Sequence, residues 1–152
     1  MVQGSGGYPG RAEAADCARA AVLRATFPQR LPEEFLALYV QHDGFPHWPI
    51  LEDTWHLLDS ETILTLYWEN QGFFDDVTAA EPWCAEWLPL LCNGTGDYLL
   101  LDLSTLEIGT YFHEGGDYQV PYPRLTAYFE HVVDGFRAGR YQWSEEDGLA
   151  FV

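Results

Sequence analysis

The side chains that could do chemistry are five histidines, two pairs of adjacent carboxylates, three thiols and one glycine-rich loop. His42, His47, His56, His113 and His131 are the first candidates for a metal ion or a general base. None stands in H-x-x-x-H spacing or in the His-Glu pattern of a metalloprotease, so a metal site would need residues gathered from distant parts of the chain. Ordinary surface or capping histidines are the expected reading. Glu52-Asp53 and Asp75-Asp76 set carboxylates side by side, the raw material of a glycosidase, whose two acids flank one bond. In a chain with 24 Asp and Glu such pairs arise by chance, and solvated loop charge is expected instead. Asn93-Gly94-Thr95-Gly96-Asp97 has the glycines of a phosphate loop. It lacks the lysine and runs into a strand pattern where a phosphate loop opens a helix, so it reads as a hairpin turn. Cys92 and Ser104 have no nucleophile motif around them. No catalytic residue, cofactor or metal ligand is assigned.

The charge distribution says more than the titratable motifs. All seven basic residues are Arg, and from Leu31 to Pro123 the chain holds 17 acids and no Lys or Arg, so the formal charge of -17 sits in the middle. Such a surface repels nucleic acid and steers a basic partner toward itself, faster at low salt than at high. The plainer reading is solubility alone. Hydrophobic residues make up 47% and aromatics 16%, which predicts a packed core of bulky side chains rather than an acidic disordered tail. With 152 residues the chain suits one domain. No apolar run reaches the roughly 20 residues of a membrane span, and the N-terminal stretch lacks the basic start and apolar block of a signal peptide. A cytoplasmic protein is expected. Cys17, Cys84 and Cys92 are odd in number and form no C-x-x-C pair, so they read as reduced, mostly buried thiols.

These residues must be positioned by elements that the periodicity outlines. Residues 1–10, with four Gly and a Pro, read as a flexible leader, and residues 11–152 as a single domain. Ala14, Ala18, Ala21 and Val22 share helical spacing and predict a first helix from Arg11 to Arg24 with that small-residue face packed inward. Leu31-Pro32-Glu33-Glu34-Phe35 is a helix start, with Leu31, Phe35, Leu38 and Tyr39 forming a stripe that Asp43-Gly44 ends. Residues 45–52 suggest a loop or edge strand, and a short strand follows near Trp55 to Leu58. Asp59 or Ser60 can cap a third helix with Ile63, Leu64 and Tyr67 on one face, stopping at Gly72. Strands are predicted at Trp87 to Cys92, Tyr98 to Leu103 and Thr110 to His113, with Tyr98-Leu99-Leu100-Leu101 covered on both faces. Asp97 is expected to accept backbone N–H bonds within its turn. Leu125, Tyr128, Phe129, Val132, Val133 and Phe136 predict a core helix closed by Gly139. Helices, a strand meander and a closing helix make an α+β fold.

The remaining feature is an aromatic cluster: Trp48, Trp55, Trp68, Phe73, Phe74, Trp83 and Trp87. More than half of it should be core, and any member left exposed beside acids would make a protein-binding hot spot.

The order of segments resembles the SUKH superfamily, named for a yeast cell-wall synthesis regulator and including many bacterial immunity proteins. The pieces are Leu31-Pro32-Glu33-Glu34-Phe35 leading to Asp43-Gly44, then Trp87-Leu88-Pro89-Leu90, then Gly94-x-Gly96-Asp97-Tyr98-x-Leu100-x-Asp102, then Gly109 to His113, then the aromatic closing helix ending at Gly139. The similarity covers about residues 31 to 143. Asp43 stands where the family often has Asn, and residues 45–55 match no pattern of the family. The resemblance implies a central, mostly antiparallel sheet flanked by helices, with Leu31, Pro32, Gly44, Gly96, Asp97 and Asp102 as structural motif residues. It also implies no catalytic centre, and a role in binding and neutralising a cognate toxin with a basic surface inside the producing cell. Trp48, Glu52, Asp53, Trp55, Asp75, Asp76 and Glu86 are the expected contacts, steering charges around aromatic anchors. An adaptor related to the cell-wall regulators is the alternative, and a small hydrolase the third reading.

Overall fold

In the computed structural model the described residues are 10–27, 30–44, 55–71, 83–115, 117–144 and 148–151. They fall into two compact units divided between Asp43 and Gly44. The expected leader lies outside the described residues except for Gly10, which opens the first helix.

The first unit is a helix pair, α1 (Gly10–Thr26) and α2 (Glu33–Gln41). In α1 the inward side differs from the expectation. Leu23 and Phe27 are buried, whereas Ala18, Ala21 and Val22 face out, Val22 at 54% exposure. Two large apolar groups one turn apart remove more surface from water than a row of methyls, so they decide which face packs. Pro32 sits at the N-cap of α2 with φ −67, and its carbonyl accepts the N–H groups of Phe35 and Leu36 at 3.0 and 3.2 Å. Glu33 and Glu34 occupy the first turn, at the positive end of the helix dipole. Phe35, Leu36 and Tyr39 are buried, the Phe35 and Tyr39 rings 4.8 Å apart, while Leu31 and Leu38 are half-buried at the margin.

The second unit is an antiparallel sheet with two helices and a terminal hairpin. Its strands are β1 (His56–Leu57), β2 (Trp87–Cys92), β3 (Tyr98–Asp102), β4 (Ile108–Phe112) and β5 (Asp117–Tyr122), adjacent in chain order. Helix α3 (Ser60–Gln71) lies between β1 and β2 in sequence, α4 (Leu125–Arg137) follows β5, and β6 (Tyr141–Ser144) pairs with β7 (Gly148–Phe151). The fold is α+β, as the segment order predicts. Pro89 lies inside β2, and the register of β2 against β3 slips between Pro89 and Leu91, a bulge where a strand residue without an N–H is tolerated. Gly44 takes φ 75, and a Cβ there would overlap the backbone of Leu58 and Asp59.

The sheet has two differently furnished faces. Tyr98 stands opposite Tyr111 and Leu100 opposite Gly109, and on this side Trp83 and Trp87 pack with Leu100, Tyr98, Tyr111 and Tyr118. The rings of Trp87 and Tyr118 stack at 4.4 Å, and a Cβ on Gly109 would overlap the Tyr118 ring. The alternate residues Leu99 and Thr110 face the other side, where they share a cavity with Tyr128 and Val132 of α4. In α4 the buried residues are Leu125, Tyr128, Val132 and Gly135, while Val133 and Phe136 are 43% and 45% exposed and Phe129 is half-buried. The core stripe is therefore narrower than the six residues expected. It includes Gly135 because the Tyr141 ring of β6 occupies the space where a Cβ would stand.

A candidate partner-binding surface

Helix α3 starts where a carboxylate caps it. Asp59 Oδ1 accepts the Thr62 N–H at 2.7 Å, and Oδ2 accepts the Thr62 hydroxyl at 2.9 Å. The helix turns Ile63, fully buried, toward the core and leaves Glu61, Thr65, Trp68 and Glu69 exposed on one contiguous arc. Trp68 is 61% exposed. Its ring meets that of Tyr67 edge-on at 5.2 Å, and the Tyr67 hydroxyl and Gln71 Nε2 both donate to the Ala85 carbonyl at 3.1 Å. These bonds pin the end of α3 to the turn that carries Glu86. A large aromatic exposed on the helix arc that also carries Glu61 and Glu69, in a stretch without Lys or Arg, can take up the apolar stem of a basic partner residue while the acids attract its charge.

Of the residues expected at the interface, Trp48, Glu52, Asp53, Asp75 and Asp76 lie outside the described residues. Trp55 is buried at 7% exposure, because it precedes β1 at the edge of the sheet and packs inward. Glu86 is half-buried in the turn before β2, and its backbone carbonyl accepts the Leu103 N–H at 2.7 Å. Among Trp55, Trp68, Trp83 and Trp87, only Trp68 is surface. Its helical position gives the signal for this, since Thr65 and Glu61 lie about one and two turns before it on the same side.

The motif residues hold turns together. Asn93 Oδ1 accepts the N–H groups of Thr95 and Asp97 at 2.9 and 3.3 Å, so Asn93 rather than Asp97 bonds the turn backbone. Asp97 instead reaches to the end of β4, where it accepts the His113 N–H. Burial raises the Asp97 pKa, but hydrogen bonds from the His113 side chain and backbone and from Asn93 outweigh it and hold the carboxyl below its ordinary value. Gly96 takes φ 101 beneath the His113 ring. Asp102 Oδ1 accepts the N–H groups of Ser104 and Thr105 at 2.8 and 3.3 Å, closing the β3–β4 turn. Cys84 and Cys92 are free and half-buried. Burial pushes the Cys92 thiol up, against a hydrogen bond from the Gly94 backbone. Burial, with the charges of Asp102 and Glu107, pushes the Tyr118 phenol up to about 12. Among the described residues no three His, Cys, Asp or Glu converge as metal ligands, and no helix is long and apolar enough to cross a membrane.

An antiparallel meander flanked by helices, with its glycine and carboxylate motif placed in turns, defines an α+β class. The chain matches the SMI1 / KNR4 family (SUKH-1) over residues 15–131 and belongs to that family. A search of curated proteins gives no match.

Proposed function

We propose that this chain is a cytoplasmic immunity protein that binds a cognate toxin domain stoichiometrically, through acids and exposed aromatics, and performs no reaction itself. The observation that carries this reading is Trp68, 61% exposed on the arc of α3 that also exposes Glu61 and Glu69. It lies in the stretch from Leu31 to Pro123 that has 17 acids and no Lys or Arg. Trp is among the residues most enriched in binding hot spots. A basic effector, such as a nuclease with its substrate cleft, is complementary to that charge. This reading requires a toxin gene beside this one, and the test is growth of cells expressing that toxin domain with and without this protein. Rescue by the wild-type chain, and loss of rescue by Trp68→Ala at equal protein level, is the expected outcome.

The second reading, a regulatory adaptor, is supported by the family match itself, since the fold serves both roles. An adaptor would bind a non-toxic cellular protein and have no toxin gene beside it.

A further inference from the structure

The face of the sheet opposite the Trp83–Trp87 cluster carries a concave site, distinct from the exposed arc of α3. A cavity of about 380 Å³ opens between the sheet and α4, and the rings of Trp55, Phe112, Tyr122 and Tyr128 line it together with Leu99 and Val132. That volume is at the low end for ligand sites, which run from about 300 to 1,000 Å³, and suits one or two side chains better than a large cofactor. The rings are set in advance: Tyr122 lies 5.2 Å from Tyr128 and 5.4 Å from the His131 ring, and Trp55 is buried. Phe112, 40% exposed, forms the rim.

We propose that this cavity receives one cationic side chain, an arginine, from the basic partner. Of the ten described residues that line it, seven come from the stretch between Leu31 and Pro123 that has no Lys or Arg, and the other three, on α4, are Tyr128, His131 and Val132. Among the described residues no guanidinium or ammonium lines the cavity, and the field of a protein with formal charge -17 favours a cation over a neutral guest. Several aromatic rings around one small cavity are the arrangement that attracts a cation through the ring quadrupoles, most strongly where water is excluded. Arginine suits it better than lysine. Its planar, weakly hydrated guanidinium stacks on rings, and its stem packs on Leu99 and Val132. Asn93 also lines the cavity, but its Oδ1 is committed to Thr95 and Asp97 and its Nδ2 to Asp97. A cavity that is already shaped saves the partner the ordering cost of making one.

This inference rests on the partner being basic and adds the residue type it inserts and where. The test uses single-residue probes and the full chain, so that its failure leaves the α3 surface to be judged separately by Trp68→Ala. N-acetyl-arginine amide is titrated into the isotope-labelled protein, and shifts of the Trp55 indole and of the Leu99 and Thr110 amides are followed. Saturation on the order of 1 mM is expected, with the uncharged analogue N-acetyl-citrulline amide at least tenfold weaker. Tyr122→Leu and the rim variant Phe112→Leu are each expected to weaken binding by about tenfold, and Tyr122→Phe to retain it. Two substituted sites keep the test open if one variant does not fold. Equal binding of the citrulline amide, tighter binding of N-acetyl-leucine amide, or tighter binding of tetramethylammonium would each overturn the proposal. These would make the cavity, respectively, blind to charge, an apolar anchor site, or a seat for a free small cation. The absence of any shift at about 50 mM probe would overturn it as well.

Discussion

The Asp97 carboxylate clamps two strand ends: its Oδ1 accepts the His113 backbone N–H at 3.0 Å and lies 2.7 Å from His113 Nδ1, while Oδ2 accepts from Asn93 Nδ2 at 2.8 Å. One side chain thus joins the β2–β3 turn to the end of β4. Asp97→Ala is expected to lower stability by about 1–3 kcal/mol in urea unfolding, the net worth of hydrogen bonds to a charged acceptor.

The same clamp has a pH signature. The carboxyl titrates below its ordinary value in the folded chain. Its contribution is therefore complete above the unfolded pKa near 4 and is lost as pH falls through the lower folded value. The stability difference between wild type and Asp97→Asn should shrink as pH falls below about 4. Urea titrations of both proteins across that range check this, and a difference unchanged at about pH 3 would contradict it.

Gly109 and Tyr118 form a matched pair, since the ring lies where a side chain on Gly109 would be and is stacked on Trp87. Gly109→Ala should destabilise by about 1–3 kcal/mol through overpacking. The double variant with Tyr118→Ala should be less destabilised than the sum of the singles, because removing the ring removes the clash. Additive losses would show that the ring moves aside freely.

Helix α4 allows a contrast within one element. Leu125→Ala should cost about 2–5 kcal/mol, because Leu125 is 1% exposed, whereas Val133→Ser, at a 43% exposed site, should stay within about 0.5 kcal/mol. Thermal melts of the two variants decide it.

Much of this fold is legible in the sequence where a strong periodic signal meets a capping or turn residue. Asp59 marks the start of α3, the Asn93–Asp97 loop marks the β2–β3 hairpin, and the apolar run of Tyr98 to Leu101 marks the central strand. Strand β5 is not legible, since it contains Pro121 and lies exposed or half-exposed along its length, with no alternation to betray it. The β6–β7 hairpin likewise follows from pairing and not from pattern. In α4, apolar residues on two adjacent stripes look like one face, and only the Tyr141 ring over Gly135 shows which stripe packs. The candidate surface was half legible. The Arg-free acidic stretch and the aromatic cluster are written in the residues, but which Trp stays outside depends on the direction in which α3 buries Ile63.

The proposed binding role turns on Trp68 and the acidic stretch acting together, one on release and the other on encounter. The most direct measurement is surface-immobilised kinetics of wild type and Trp68→Ala against the toxin domain that the proposed function requires, at low and high ionic strength. The expected result is a wild-type association rate that falls steeply with salt, and a Trp68→Ala dissociation rate raised by at least tenfold, about 1.4 kcal/mol or more. An association rate indifferent to salt, together with an unchanged dissociation rate for Trp68→Ala, would contradict it and leave the acidic surface as a solubility feature.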